Sequence, residues 1–159
     1  MAKGILNIYF KDEYITNSFK YYSARKDMNK MIKIISKEVG KKIEASIHFI
    51  SSKTIKNLNK EHRDLNMTTD VLSFPHNEME DKILYIGDIF INIDIIDSQS
   101  KEIGSDPLTE VKFLTMHGLL HLIGYDHLEF EDEKIMCKRQ RKIFTKLKIR
   151  NDLKESDLV

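Results

Sequence analysis

HGLLHLIGYDH, residues 117 to 127, holds three of the chain's six histidines within eleven residues. His117 and His121 are four apart. On a helix of ~3.6 residues per turn, that step turns about 40° and rises ~6 Å. Both imidazoles therefore leave one face of the helix, one above the other, as a chelating pair must. Gly124 stands just past the periodic run. A glycine there ends a helix in the left-handed conformation at little steric cost. The chain can then reverse and bring His127 back toward the pair. Three neutral imidazoles with one open position make a catalytic rather than a structural zinc site. Copper, nickel and iron also accept imidazole, so zinc is the favoured ion and not the sole one. Two core histidines and a surface His127 would be a plainer account, but it leaves the spacing and the turn glycine unexplained.

Working outward, Asp106-Pro107 places an acid and a proline where a helix begins, so the histidine helix is expected over Leu108 to Ile123. Before it, Asp94 to Ile103 reads as a helix ended by Gly104, and Ile83 to Ile91 as a strand in which Gly87 marks a bulge or a close backbone approach. Val71 to Phe74 is a short strand halted by Pro75, with a polar hairpin or wider loop over His76 to Asp81. Arg63 to Thr69 is a loop, and Ser51 or Ser52 caps a helix that buries Ile55 and Leu58. Ile43, Ala45, Ile47 and Phe49 alternate with Glu44, Ser46 and His48, which is strand periodicity. Asp27 to Val39 is a helix stopped by Gly40, and Gly4 to Phe10 a first strand. After the histidines, Glu131 to Arg150 is a last helix and the tail from Asn151 frays. The order β-α-β-α-β-β-α-α-α predicts an α+β fold, one sheet of about four strands with five or so helices packed on it. No repeat or linker divides the chain, so residues 1–159 form a single domain.

Composition agrees with a globular chain. Of 159 residues, 41% are hydrophobic and 32% charged, which excludes a disordered or collagen-like protein. Cys137 is the single cysteine, so there is no intrachain disulfide, as suits a reducing compartment. No apolar run approaches the ~18 residues of a membrane span, and the charged start is no signal peptide. A cytoplasmic protein without membrane association is expected. Net charge is +1 and says nothing about nucleic acid. Its distribution is more informative: KRQRKIFTKLKIR, Lys138 to Arg150, carries seven basic residues and no acid. Such a run either meets phosphate or is a solvated helix face flanked by acids.

The H-x3-H-x5-H spacing matches the metzincin metalloproteases, which place a glutamate directly after the first histidine as general base. Here that position is Gly118. The change keeps the metal cradle and discards the peptidase base. Two further blocks stand upstream: Leu58-Asn59 with Arg63, leading into TDVLSFP at Thr69 to Pro75, and then Gly87-Asp88-Ile89. With Glu110, Phe113-Leu114 and the histidine block, they run in order over roughly residues 58 to 127. In these blocks the chain resembles the YbeY family of bacterial rRNA maturation endoribonucleases. The resemblance implies a mixed sheet with helices, and a zinc on His117, His121 and His127. It implies a single-strand-selective endoribonuclease of the bacterial cytoplasm, acting on rRNA in 16S 3′-end maturation and in ribosome quality control. The small ribosomal subunit and its assembly proteins are the implied partners.

The family has a functionally important arginine upstream of TDVLSFP, and Arg63 matches it. A guanidinium offers permanent charge and a planar fork for phosphate oxygens. Without the resemblance, a surface salt bridge would be the simpler role. Asp70 and Asp88 either orient loops at the site or cap local backbone, and Asp126 is either a proton acceptor or a turn aspartate. Glu110 lies seven residues before His117 and so about 20° from it on the helix. Met136 and Cys137 read as core filler and an inert thiol, and His48, His62 and His76 receive no role. A non-catalytic, zinc-stabilised ribosome assembly factor remains an alternative, and a zinc peptidase a more distant one. The residues leave open which group serves as base, and whether water or a ribose 2′-hydroxyl attacks.

Overall fold

A computed structural model describes residues 4–10, 21, 23–126 and 129–148. The element order is β1 (Gly4–Phe10), α1 (Arg25–Val39), β2 (Ile43–Ile50), α2 (Ser52–Arg63), β3 (Val71–Glu80), β4 (Ile83–Asn92), α3 (Ile93–Ile103), α4 (Pro107–Leu122) and α5 (Phe130–Lys146). The sheet runs β1-β2-β4-β3. β1, β2 and β4 are mutually parallel, and β3 is an antiparallel free edge. Among the described residues the expected α+β class, with one mixed four-stranded sheet and five helices, holds.

α4 explains why the histidine segment decides the fold. It is apolar nearly all round, and Val111, Phe113, Leu114, Met116, Leu119, Leu120 and Leu122 are buried. Such a helix belongs inside. It packs on β3 and β4 on one side and meets α1, α3 and α5 on the others. Asp106 caps its start by accepting from the Leu108 N–H, with Pro107 in the first turn. On the opposite face of the sheet, α2 covers a smaller cluster of Ile50, Ile55 and Leu72 with Leu58, Phe74 and Phe90. Ser51 caps α2 by accepting from the Thr54 N–H at 3.2 Å.

Four expectations need correction. β3 is not halted by Pro75; it continues to Glu80. Proline is tolerated there because the strand is an edge and the ladder slips between Pro75 and Glu78. The loop expected over His76 to Asp81 shrinks to Asp81 and Lys82, both at positive φ, as a tight two-residue hairpin requires. The last helix ends at Lys146 because Lys148 turns left-handed (φ 57°). Arg150 and the tail from Asn151 lie outside the described residues. Ser46 and His48 also prove to be buried: β2 is a central parallel strand covered on both faces. Gly87 meets both expectations. It sits at the ladder irregularities of β4, and a Cβ there would come 2.2 Å from the Phe74 carbonyl oxygen.

Candidate functional site

A cavity of about 520 Å³ opens between the C-terminal half of α4 and the free edge of β3. Its walls include Arg63, Asp70, Ser73, His117, His121 and Asp126. Two of the three expected metal ligands and the expected arginine therefore share one cavity. His127 lies outside the described residues.

His117 is buried, 6% exposed, whereas His121, one turn later, is half-buried at the cavity wall. Their Nε2 atoms face each other at 3.1 Å. Two ligands at ~2.0–2.1 Å from a tetrahedral zinc would stand about 3.3 Å apart. The pair and its chemistry thus fit such an ion. The helix end supplies the turn: the Gly124 N–H donates to His121 O at 3.1 Å and the Tyr125 N–H to Leu120 O at 3.0 Å, with Gly124 at φ 108°. These two bonds satisfy the last carbonyls and swing the chain back over the cavity.

Gly118 points away from the site. A Cβ there would lie 2.8 to 3.0 Å from three side-chain atoms of Ile89 on β4. The position has room for neither a glutamate nor an alanine without a shift in the core, so the missing peptidase base is also a packing requirement.

Arg63 is the last residue of α2 and is exposed. Its Nη2 donates to the Ser73 carbonyl at 3.3 Å, and its guanidinium carbon lies 5.9 Å from the centre of the Phe74 ring. One backbone bond and one ring contact hold the group at the cavity rim and leave other N–H donors of its fork for a ligand. Asp70 begins β3, and burial raises its carboxyl above the ordinary aspartate value, against the pull of its own and Val71's backbone N–H groups.

Sequence reasoning missed the residue that positions this rim. Asn92, fully buried at the end of β4, caps α3 by accepting from the Ile95 N–H. Its Nδ2 donates to Thr68 Oγ1 at 3.2 Å and to Thr69 O at 3.1 Å, and its N–H donates to Asp70 O at 2.9 Å. Asn59 Nδ2 adds a bond to Met67 O at 3.0 Å. An asparagine before an apolar helix was a readable cap, but its grip on the loop was not. The unassigned His48 and His76 meet around Asp88, at 2.9 and 3.2 Å. Tyr85 donates to the same carboxylate at 2.8 Å, and burial, with Asp88 adding to it, pushes its hydroxyl up to about 12. Asp88 is thus a fixed acceptor within the sheet and does not line the cavity.

A family model described as Endoribonuclease YbeY matches residues 8–148. The chain is 37% identical over 125 residues to a protein of Caldanaerobacter subterraneus subsp. tengcongensis named Endoribonuclease YbeY, covering 71% of this chain and 79% of that one. A Carboxydothermus hydrogenoformans protein of the same name is 40% identical over 111 residues, covering 69% and 76%. One from Clostridium botulinum is 33% identical over 156 residues, covering 82% and 94%. The solution structure of TM1509 from Thermotoga maritima superposes with a TM-score of 0.57 at 24% identity, covering 90% of this chain and 89% of that one. That likeness is one of fold. The resemblance drawn from residues 58 to 127 therefore extends over most of the chain.

Proposed function

The chain belongs to the YbeY endoribonuclease family, and from that premise we propose that it is a zinc-dependent endoribonuclease that cleaves single-stranded RNA in the cavity between α4 and β3. The observation that carries this reading is the meeting of Arg63, His117 and His121 on one cavity. His127, four residues past the end of α4's turn at Ile123, completes the ligand set. When bound, zinc supplies Lewis-acid chemistry, polarising a phosphoryl oxygen or acidifying a water. His117 and His121 present neutral nitrogens to it from one helix face. Arg63 holds the scissile phosphate by its free N–H groups and offsets the charge that develops there. Asp70 is the proton acceptor: it lines the cavity, and burial raises its carboxyl above the ordinary aspartate value. The biological setting that follows from the family resemblance is rRNA, in 16S 3′-end maturation and ribosome quality control in the bacterial cytoplasm, with the small subunit and its assembly proteins as partners. No helix among the described residues is long and apolar enough to cross a membrane.

The test is cleavage of end-labelled single-stranded and duplex RNA by purified protein, before and after chelation. The expected result is cutting of the single strand alone, lost on chelation and restored by zinc. Arg63→Ala should lower kcat at unchanged zinc content. Cleavage that survives complete zinc removal overturns the metal mechanism, and stoichiometric RNA binding without turnover under any metal condition would favour an assembly factor.

A further inference from the structure

The basic run of the last helix forms a second cavity. A groove of about 540 Å³ lies between α1 and α5, lined by Ile34, Arg139, Arg141, Lys142, Ile143, Thr145 and Lys146. Its apolar members come from both helices, and the rest of its wall is mostly cationic. Arg139, Lys142 and Lys146 are spaced three and four apart and so share one face of α5. On α1, exposed Lys30 and Lys37 stand four residues before and three after Ile34, on the same face as the groove.

The acids of α1 offset one of these charges, that of Arg139, and leave Lys142 and Lys146 to carry the groove. Asp27 is paired with Lys112 at 2.8 Å, and Glu38 with Arg139 at 2.8 Å. The acids of α5, Glu131, Asp132 and Glu133, sit in its first turn. Thirteen residues separate Glu133 from Lys146, which is about 20 Å of helix and well beyond a Debye length of about 8 Å.

The groove is also linked to the candidate active site through hydrogen bonds. Tyr125 lines that site, and its hydroxyl donates to Glu38 Oε1 at 2.6 Å. Arg139, which lines the groove, donates to Glu38 Oε2 from Nη2 at 2.8 Å and from Nε at 3.1 Å. Glu38 thus ties a residue that lines one cavity to a residue that lines the other. We propose that the α1–α5 groove is a second binding site for the phosphate backbone of the RNA, gripping the strand a few nucleotides from the scissile bond. This rests on the endoribonuclease reading for the identity of the ligand. The cations grip phosphate, and the Ile34 and Ile143 floor accepts sugar and base edges. Binding here is sequence-independent and salt-sensitive, because each neutralised phosphate releases counterions.

The test is fluorescence anisotropy of a labelled twenty-nucleotide single-stranded RNA over a salt series, for wild type, K142Q/K146Q and K142E/K146E. Both lysines are exposed, and circular dichroism checks the fold. Losing two phosphate contacts should weaken binding about tenfold at physiological salt and lower the log–log salt slope by roughly 1.4. The charge-reversed pair should lose more, and the loss should shrink for a four-nucleotide RNA too short to bridge the two sites. Unchanged affinity and slope in both variants, with wild type still cleaving RNA, overturn the groove and leave the endoribonuclease standing. Lysine-dependent RNA binding without any cleavage supports the groove and removes the nuclease reading. Lysine-dependent binding of polyglutamate or anionic vesicles, with no lysine dependence for RNA, overturns the proposal in favour of another occupant.

Discussion

The Nε2 atoms of His117 and His121 face each other across 3.1 Å, although one ring is buried and the other half-exposed. Two nitrogens so placed share one proton or one cation. A zinc ion would satisfy both nitrogens with the rings neutral, since imidazole nitrogens are good zinc ligands. The protein should therefore bind one zinc per chain, measured by competition with a chromophoric chelator. His121→Ala should lower affinity by more than the 10–100-fold that loss of an outer-shell partner costs. Thermal stability should fall on chelation in wild type and hardly change in the variant. Equal zinc affinity in both proteins would remove His121 from the site.

Gly118 carries a separate prediction. Alanine there should gain up to ~1 kcal/mol of helix propensity and lose about 1–3 kcal/mol by overpacking against Ile89. The net effect is a Tm lower by a few degrees, with zinc affinity retained because the position faces the sheet. Gly118→Glu should fail to fold stably rather than acquire peptidase activity. A stable, metal-loaded Gly118→Glu protein would show that Ile89 is not the constraint.

The uneven legibility of the fold follows from the range of the forces involved. Gly40, Gly104 and the Asp106-Pro107 start could be read from sequence because a cap is a local event, settled within one helical turn. β3 was misjudged because whether Pro75 ends a strand depends on whether its missing N–H would have faced a neighbour, which only the sheet order β1-β2-β4-β3 decides. His48 looked like an outward residue of an alternating strand; it is covered because Tyr9 and Phe90 stack on its two sides, at 5.1 and 4.5 Å. At the site, spacing alone put His117 and His121 together, since four residues on a helix fix their direction. Arg63 reached the cavity by resemblance and not by any local signal, because its approach depends on β3 lying beside the end of α2. Asn92's hold on the 68–70 segment is of the same non-local kind.

Glu38 gives the pH prediction. Burial pushes its carboxyl up, but hydrogen bonds from Tyr125 and Arg139, with Arg139's charge, outweigh that and hold it below the ordinary glutamate value. A depressed acid contributes stability that is present above the unfolded pKa, about 4.3, and is lost as pH falls through the lower folded value. Glu38→Gln should cost about 1 kcal/mol at pH 7, or roughly 2–4 °C in Tm. Exposure of 27% of each side chain keeps the figure below that of a fully buried pair. The gap from wild type should close as pH drops below 4. A gap that is constant from pH 7 to pH 3 would mean the ionised carboxylate is not the stabilising form.

Asp70 allows stability and catalysis to be separated. Its carboxyl is raised by burial, so its contribution has the opposite sign: it favours folding below the unfolded pKa and opposes it once pH passes the folded value. Above the folded value the buried charge is a burden on the folded state, and there Asp70→Asn should be at least as stable as wild type. As a proton acceptor, however, Asp70 must be ionised to work. The wild-type rate should rise with pH as this carboxyl ionises. Asn cannot accept that proton, so kcat should fall about 10²–10⁴-fold and the acid limb should flatten. A variant that is stable, loaded with zinc and slow would isolate the chemical role, because no structural defect predicts that combination. A stable variant with wild-type kcat and an unchanged acid limb would assign the proton to another group, with Asp126 on the same cavity wall as the next carboxylate to test.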